Sequence, residues 1–212
     1  KCRPCAEPIS PLSIVVEAIT GVAFLAVALR FLPGALAAAS VPALVSGLLA
    51  LVAFLYLAAV SVALSAIDIA VQRLPTRIVL PSYAVGAVLL GAAALVGGDL
   101  EAGARAAAGA GILVVFYLIL AIIKPGGMGM GDVKLAGVLG LYLGYLGWGH
   151  LIVGAMGAFL LGGLFGVGLL IARRGKGGRA IPFGPWMFAG AWVSIFAGEQ
   201  ITSGYLAAVG LS

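Results

Sequence analysis

Apolar residues run through this chain in seven long blocks, with the charged positions gathered in ones and twos between them. A helix needs about 20 apolar residues to cross the hydrocarbon core of a bilayer, and the blocks fall at about 12–31, 43–67, 78–97, 105–123, 133–147, 150–172 and 184–205. The expected fold class is therefore all-α: a polytopic transmembrane helix bundle of about seven spans. Residues 1–11 form a short segment ahead of the bundle and 12–212 one transmembrane domain, since no connection is long enough to fold alone. Pro33-Gly34 is expected to break the chain after the first span, while Pro75, Pro81 and Pro125 punctuate later turns and Gly97-Gly98-Asp99 marks another. The fifth block holds only about 15 residues before Gly147-Trp148-Gly149, less than a full crossing. Either its outer turn dips inward or Asp132, at its start, lies below the membrane surface. The recessed carboxylate is the favoured expectation.

Composition supports this picture. Of 212 residues, 63% are hydrophobic and 9% charged, with 33 glycines, whereas a soluble domain carries roughly 25% charged residues. So many small residues suit helices that pack closely in lipid. The net charge of +5 is too scattered to form a nucleic-acid surface. A start at Lys1 rather than methionine points to a fragment or a processed product.

The charges set the expected topology. Lys1, Arg3, Arg73, Arg77, Lys124, Lys134, Arg173, Arg174, Lys176 and Arg179 fall on one side of the bundle, and only Arg30 and Arg105 on the other. By the positive-inside rule the N-terminus is cytoplasmic and the C-terminus outside. Asp68, closing span two, and Asp132, opening span five, then share the cytoplasmic side, with Asp99 and Glu101 outside.

Ionisable residues within spans are costly in hydrocarbon and are functional candidates for that reason. Asp132 stands in Gly126-Gly127-Met128-Gly129-Met130-Gly131-Asp132-Val133-Lys134-Leu135. An aspartate there serves most simply as a helix cap, but four glycines exceed what a cap needs and leave the backbone open to close approach. Lys134 reads as an anchor that snorkels to the interface. Asp68 ends a long apolar run at a helix C-terminus, which disfavours an anion; a salt bridge to Arg73 or Arg77 is the plainer explanation. Two aspartates meeting at one buried site share a proton, because like charges about 3 Å apart cannot both ionise. The ionised partner takes a proton from water while the neutral one polarises a scissile carbonyl. The only histidine, His150, lies at an outer turn, so no Ser–His or Cys–His arrangement is available on the cytoplasmic side.

Other polar residues carry weaker signals. Glu17 lies in the cytoplasmic half of span one and is a candidate for tuning the site; Glu199, in the outer half of span seven, suggests a structural contact. Cys2-Arg3-Pro4-Cys5 has the spacing of half a zinc site, with no further cysteine or nearby histidine to complete it. Ile181-Pro182-Phe183-Gly184-Pro185 returns the chain to the membrane on the side of both aspartates, as a rigid wall beside them.

In combination these residues resemble the bacterial type IV prepilin peptidases, membrane aspartyl proteases of the GxGD type. The resemblance rests on Cys2-Arg3-Pro4-Cys5, Pro8-Ile9-Ser10, Val16-Glu17-Ala18-Ile19-Thr20-Gly21, Asp68 with Leu74-Pro75, Gly129-Met130-Gly131-Asp132-Val133-Lys134-Leu135, and Ile181-Pro182-Phe183-Gly184-Pro185. It covers nearly the whole chain. It implies Asp68 and Asp132 as the catalytic pair, with Gly129, Gly131, Lys134, Glu17, Pro182, Phe183, Gly184 and Pro185 shaping the site. It implies prepilin and pseudopilin substrates, cut after a glycine where a short basic leader meets an apolar helix, at the cytoplasmic face of the bacterial inner membrane.

Cleavage by this family needs no cofactor. Longer members carry a further N-terminal span and a cytoplasmic segment whose first cysteine pair, with the second, would hold zinc; Cys2 and Cys5 are metal candidates only if such ligands exist. Those members also methylate the new N-terminus with S-adenosylmethionine, an activity not assigned to these 212 residues. Thr76 departs from the asparagine or aspartate that usually follows the proline. The presenilin-like branch pairs its aspartate with a preceding tyrosine, and here residue 67 is isoleucine. Two readings from other classes stand beside the peptidase. An ion-coupled transporter would use its acidic residues as a relay, yet no inverted repeat is apparent and both aspartates sit on one side. A noncatalytic assembly protein would leave the pair unexplained.

Overall fold

The computed structural model describes residues 11–124, 128–172 and 182–210. Cys2, Cys5, Pro125, Gly126, Gly127 and the basic loop from Arg173 to Ile181 lie outside the described residues, so the metal candidates are not placed. Among the described residues seven helices follow one another: α1 (Pro11–Leu36), α2 (Val41–Val71), α3 (Thr76–Gly97), α4 (Leu100–Ile123), α5 (Met130–Leu146), α6 (Trp148–Ala172) and α7 (Gly184–Ala208). The seven expected blocks are all helical, and the architecture is all-α. α1 to α4 and α6 are long and apolar enough to cross a membrane.

α4 and α5 run antiparallel, with Gly109 facing Gly140 and Arg105 facing Gly144. Ser40 caps α2 through its hydroxyl, which accepts the Ala43 N–H, and Pro42 sits in the first turn where no N–H is missed. Gly98 closes α3 with φ 74°, and the Asp99 carboxylate accepts the Ala102 N–H at 2.9 Å to open α4. That turn is where the glycines and aspartate place it.

Two prolines do not act as expected. α1 runs through Pro33 to Leu36, and α3 runs through Pro81, its sixth residue. A proline removes one backbone bond and crowds the preceding turn. Within a membrane helix the neighbouring bonds still form, as no water competes for the backbone. Ala37 N–H bonds the Pro33 carbonyl at 3.0 Å, and the Ser82 hydroxyl bonds the Ile78 carbonyl at 2.8 Å. Pro75, by contrast, marks the start of α3.

α5 is the hub. Its 17 residues are short of a crossing, and Val133 together with the run from Leu135 to Gly144 is buried against α3, α4, α6 and α7. Contact with α4 is backbone to backbone: a Cβ on Gly109 would lie 2.5 Å from the Gly140 carbonyl oxygen. Lipid tails are as apolar as the core, so such close packing, rather than transfer from water, holds membrane helices together. The interior is completed by Phe54, which stacks on Phe31 (ring centroids 4.4 Å apart) and meets Tyr142 edge-on. This centre fixes α5 laterally and therefore fixes Asp132 at its first turn.

Candidate active site

One end of the bundle gathers the last turn of α2, the connection to α3, and the first turns of α5 and α7. Asp68 lies in the last turn of α2, its carbonyl accepting the N–H of Gln72, the left-handed residue that closes the helix. Its side chain is buried, at 4% exposure, and Oδ2 accepts the Gly184 N–H at 3.0 Å. This bond joins residues 116 apart in sequence. A Cβ on Gly184 would lie 2.7 Å from the same oxygen, so glycine is what lets α7 begin here. Arg73 and Arg77 are exposed, and the only ion pair among the described residues joins Arg105 and Glu101 at the opposite end. The salt bridge that would have explained Asp68 is not formed.

Asp132 is the third residue of α5 and is half-buried. Its Oδ2 accepts the Gly129 N–H at 3.1 Å, half of a capping box whose other half glycine has no side chain to supply. Capping thus occupies one oxygen of Asp132. Gly131 serves a separate purpose: a Cβ there would sit 2.9 Å from the Leu74 Cβ. Leu74 also approaches Gly184, whose Cβ would meet its Cδ2 at 3.4 Å. Leu74 is therefore a wedge between the first turn of α5, which carries Asp132, and the first turn of α7, which holds Asp68. Asp132 lies within electrostatic reach of Asp68, the two negative charges oppose each other, and among the described residues neither forms an ion pair. Such a pair is eased by sharing one proton.

The flanks are held by polar ties that the sequence pattern did not announce. Lys134 Nζ donates to Thr76 Oγ1 at 3.2 Å, so this lysine tethers α5 to the first residue of α3 instead of only reaching for the interface. The Tyr83 hydroxyl donates to the Lys134 carbonyl at 2.6 Å, and Gly137 leaves room for that hydroxyl. Phe183 caps α7 and packs on Phe159 and Tyr117, with ring centroids 5.3 and 6.3 Å apart. Pro182 precedes it and Pro185 occupies the first turn. Tyr117, buried in α4, lies within reach of the Asp132 charge. Leu74, Tyr83, Tyr117 and Phe159 were not among the expected site residues. Leu74 was quoted only as part of Leu74-Pro75, without a role, and the three aromatic residues look like ordinary core in a helical pattern.

Glu17 is exposed on α1 and is not brought to the pair. His150 lies at the far end, where its carbonyl accepts the Ser194 hydroxyl at 2.6 Å, and Glu199 is exposed nearby. Among the described residues no three His, Cys, Asp or Glu side chains cluster as metal ligands.

A model of the type IV leader peptidase family matches residues 54–167, more than half of the chain and including both aspartates. The chain belongs to this family. Among its relatives in the leader peptidase family are proteins named prepilin leader peptidase/N-methyltransferase. The one from Aeromonas hydrophila is 34% identical over 97% of this chain and 65% of its own length. The one from Aeromonas salmonicida strain A449 is 33% identical over 99% and 66%. The one from Bacillus subtilis is 28% identical over 97% and 74%. The chain thus spans just under two thirds of the two Aeromonas relatives. No solved structure matches it. None of these likenesses supports an ion-coupled transporter.

Proposed function

We propose that this chain is a membrane-embedded aspartyl endopeptidase that removes the short basic leader of type IV prepilins or pseudopilins. Asp68 and Asp132 are the catalytic pair. The observation that carries this reading is the meeting of two carboxylates, from α2 and α5, beside Leu74 and Gly184, with no ion-pair partner among the described residues. One aspartate, ionised, takes a proton from the attacking water; the other, protonated, donates a hydrogen bond to the scissile carbonyl. The tetrahedral intermediate collapses as the departing amine gains a proton from the pair. The Gly184 N–H keeps Asp68 oriented through the cycle, and the exposed Gly129, without a side chain, lets a peptide backbone approach Asp132.

The substrate assignment draws on the names of the relatives and on family membership. The site faces the cytoplasm of a bacterial inner membrane, with the chain's N-terminus on that side and its C-terminus outside. Arg73, Arg77, Lys124 and Lys134 all lie at the aspartate end, in keeping with the positive-inside rule. N-methylation is not assigned to this chain. Zinc at Cys2 and Cys5 would require ligands beyond these two thiolates, and cleavage as described draws on no metal.

The test is incubation of the purified protein, in detergent or bilayer, with a peptide carrying a basic leader, a glycine and an apolar helix. A single new N-terminus immediately after the glycine, identified by mass spectrometry, is expected. An intact peptide, or cuts scattered through the leader, would contradict the proposal.

A further inference from the structure

A groove of about 570 Å³ runs along the outside of the bundle between the first half of α1, the second half of α2 and the first half of α7. Ile19, Ala66, Ile69, Pro185, Phe188 and Trp192 are among its lining residues. Its polar groups are few. Ser61 is already engaged, accepting the Trp192 indole N–H at 3.1 Å and donating to the Ala58 carbonyl at 2.8 Å. One end of the groove reaches the candidate active site along two elements at once. Ile69 and Ala70 directly follow Asp68, and Pro185 directly follows Gly184, whose N–H holds Asp68.

From this continuity we infer that the groove receives the apolar helix of the substrate, the part that follows the scissile bond. The inference rests on the peptidase reading and adds where the enzyme grips. At bilayer depth an occupant must satisfy its own backbone, which selects a helix. The floor along α2 from Ser61 to Ala70 is about 14 Å long, roughly two and a half helical turns. Ser61, Ser65, Ala66 and Ala189 are small, so a docked helix can approach closely. An apolar helix seated there ends beside Pro185 and Asp68, which puts the residues just before it, where helix gives way to leader, at the carboxylates. The groove therefore distinguishes a peptide continued by a membrane helix from a soluble peptide of the same junction sequence.

The test uses the full protein in bilayer nanodiscs, with a photoreactive benzophenone residue in place of Ile19 or Phe196, large side chains that already line the groove, or of Leu29 or Val88 on exposed helix surface elsewhere. The probe is a labelled peptide with a basic leader, a glycine junction and about 20 apolar residues, presented to an Asp68→Asn background so that it is not consumed. Crosslinking at positions 19 and 196, competed by unlabelled peptide and near background at positions 29 and 88, is expected. Crosslinks only to lipid or to a second copy of the chain, or equal yields at all four positions, would overturn the inference.

A kinetic test runs beside it on active protein. Ala66→Phe, and the milder Ser65→Leu, should lower the preference for the helix-bearing over the helix-less peptide, measured as a ratio of kcat/KM, by about tenfold or more. An unchanged ratio in both variants would overturn the groove and leave the peptidase intact. Site-specific crosslinking by a protein that cuts neither peptide would keep the groove and sink the peptidase reading.

Discussion

The two ends of this bundle both carry carboxylates, and they use them differently. At the far end each acid has a local occupation or faces outward. Asp99 caps α4, Glu101 pairs with Arg105 one turn along the same helix, and Glu199 is exposed. At the near end Asp68 and Asp132 come from helices 64 residues apart and meet through tertiary packing. Among the described residues neither has an ion-pair partner, and each is oriented by a backbone N–H: Gly184 for Asp68, Gly129 for Asp132. An acid that a neighbour four residues away explains needs no chemistry; a pair of carboxylates, one buried and one half-buried, assembled from distant elements does.

This contrast can be broken by substitution. The largest effect is expected for Asp68→Asn or Asp132→Asn, each lowering kcat on the order of 10³-fold or more, as for paired catalytic groups elsewhere, while thermal unfolding in detergent shows the fold retained. Next is Gly184→Ala. Its methyl would press on Asp68 Oδ2, and a displacement of this kind costs about 100-fold in turnover when a catalytic group moves by an ångström. Steady-state kinetics should show the loss mainly in kcat. Lys134→Met removes the tie to Thr76 and is expected to cost about 1 kcal/mol of stability, the scale of one hydrogen bond, read as a lower unfolding midpoint. Smallest of all, Glu101→Gln at the far end should leave turnover and unfolding within experimental scatter, because exposed ion pairs contribute little. A far-end substitution that abolished cleavage while the fold persisted would erase the distinction.

Most of this organisation was legible in the chain. Seven helices follow from the apolar blocks, and the two aspartates stood out because charge is rare and costly in such a setting. The proline reading failed at Pro33 and Pro81 because proline is judged by rules suited to helices in water; in a bundle the flanking backbone bonds hold the helix together. Glu17 was drawn toward the site by its half of the membrane, yet the face of α1 that carries it is turned outward. Leu74 had no local signal as a wedge, since its role depends on Gly131 and Gly184 approaching from α5 and α7. Thr76 looked like a mere departure from a family pattern and is the acceptor for Lys134. The pattern along a helix tells which residues are apolar; which of them meet is settled by packing.

The central claim is that Asp68 and Asp132 act as one unit, and its most direct test is the turnover of Asp68→Asn, Asp132→Asn and the double variant on one leader-bearing substrate. Groups that share one proton fail together, so the double variant should be no slower than the worse single, within about threefold. If the two losses instead multiplied, or if either single variant kept full activity, the aspartates would be acting independently and the paired mechanism would be wrong.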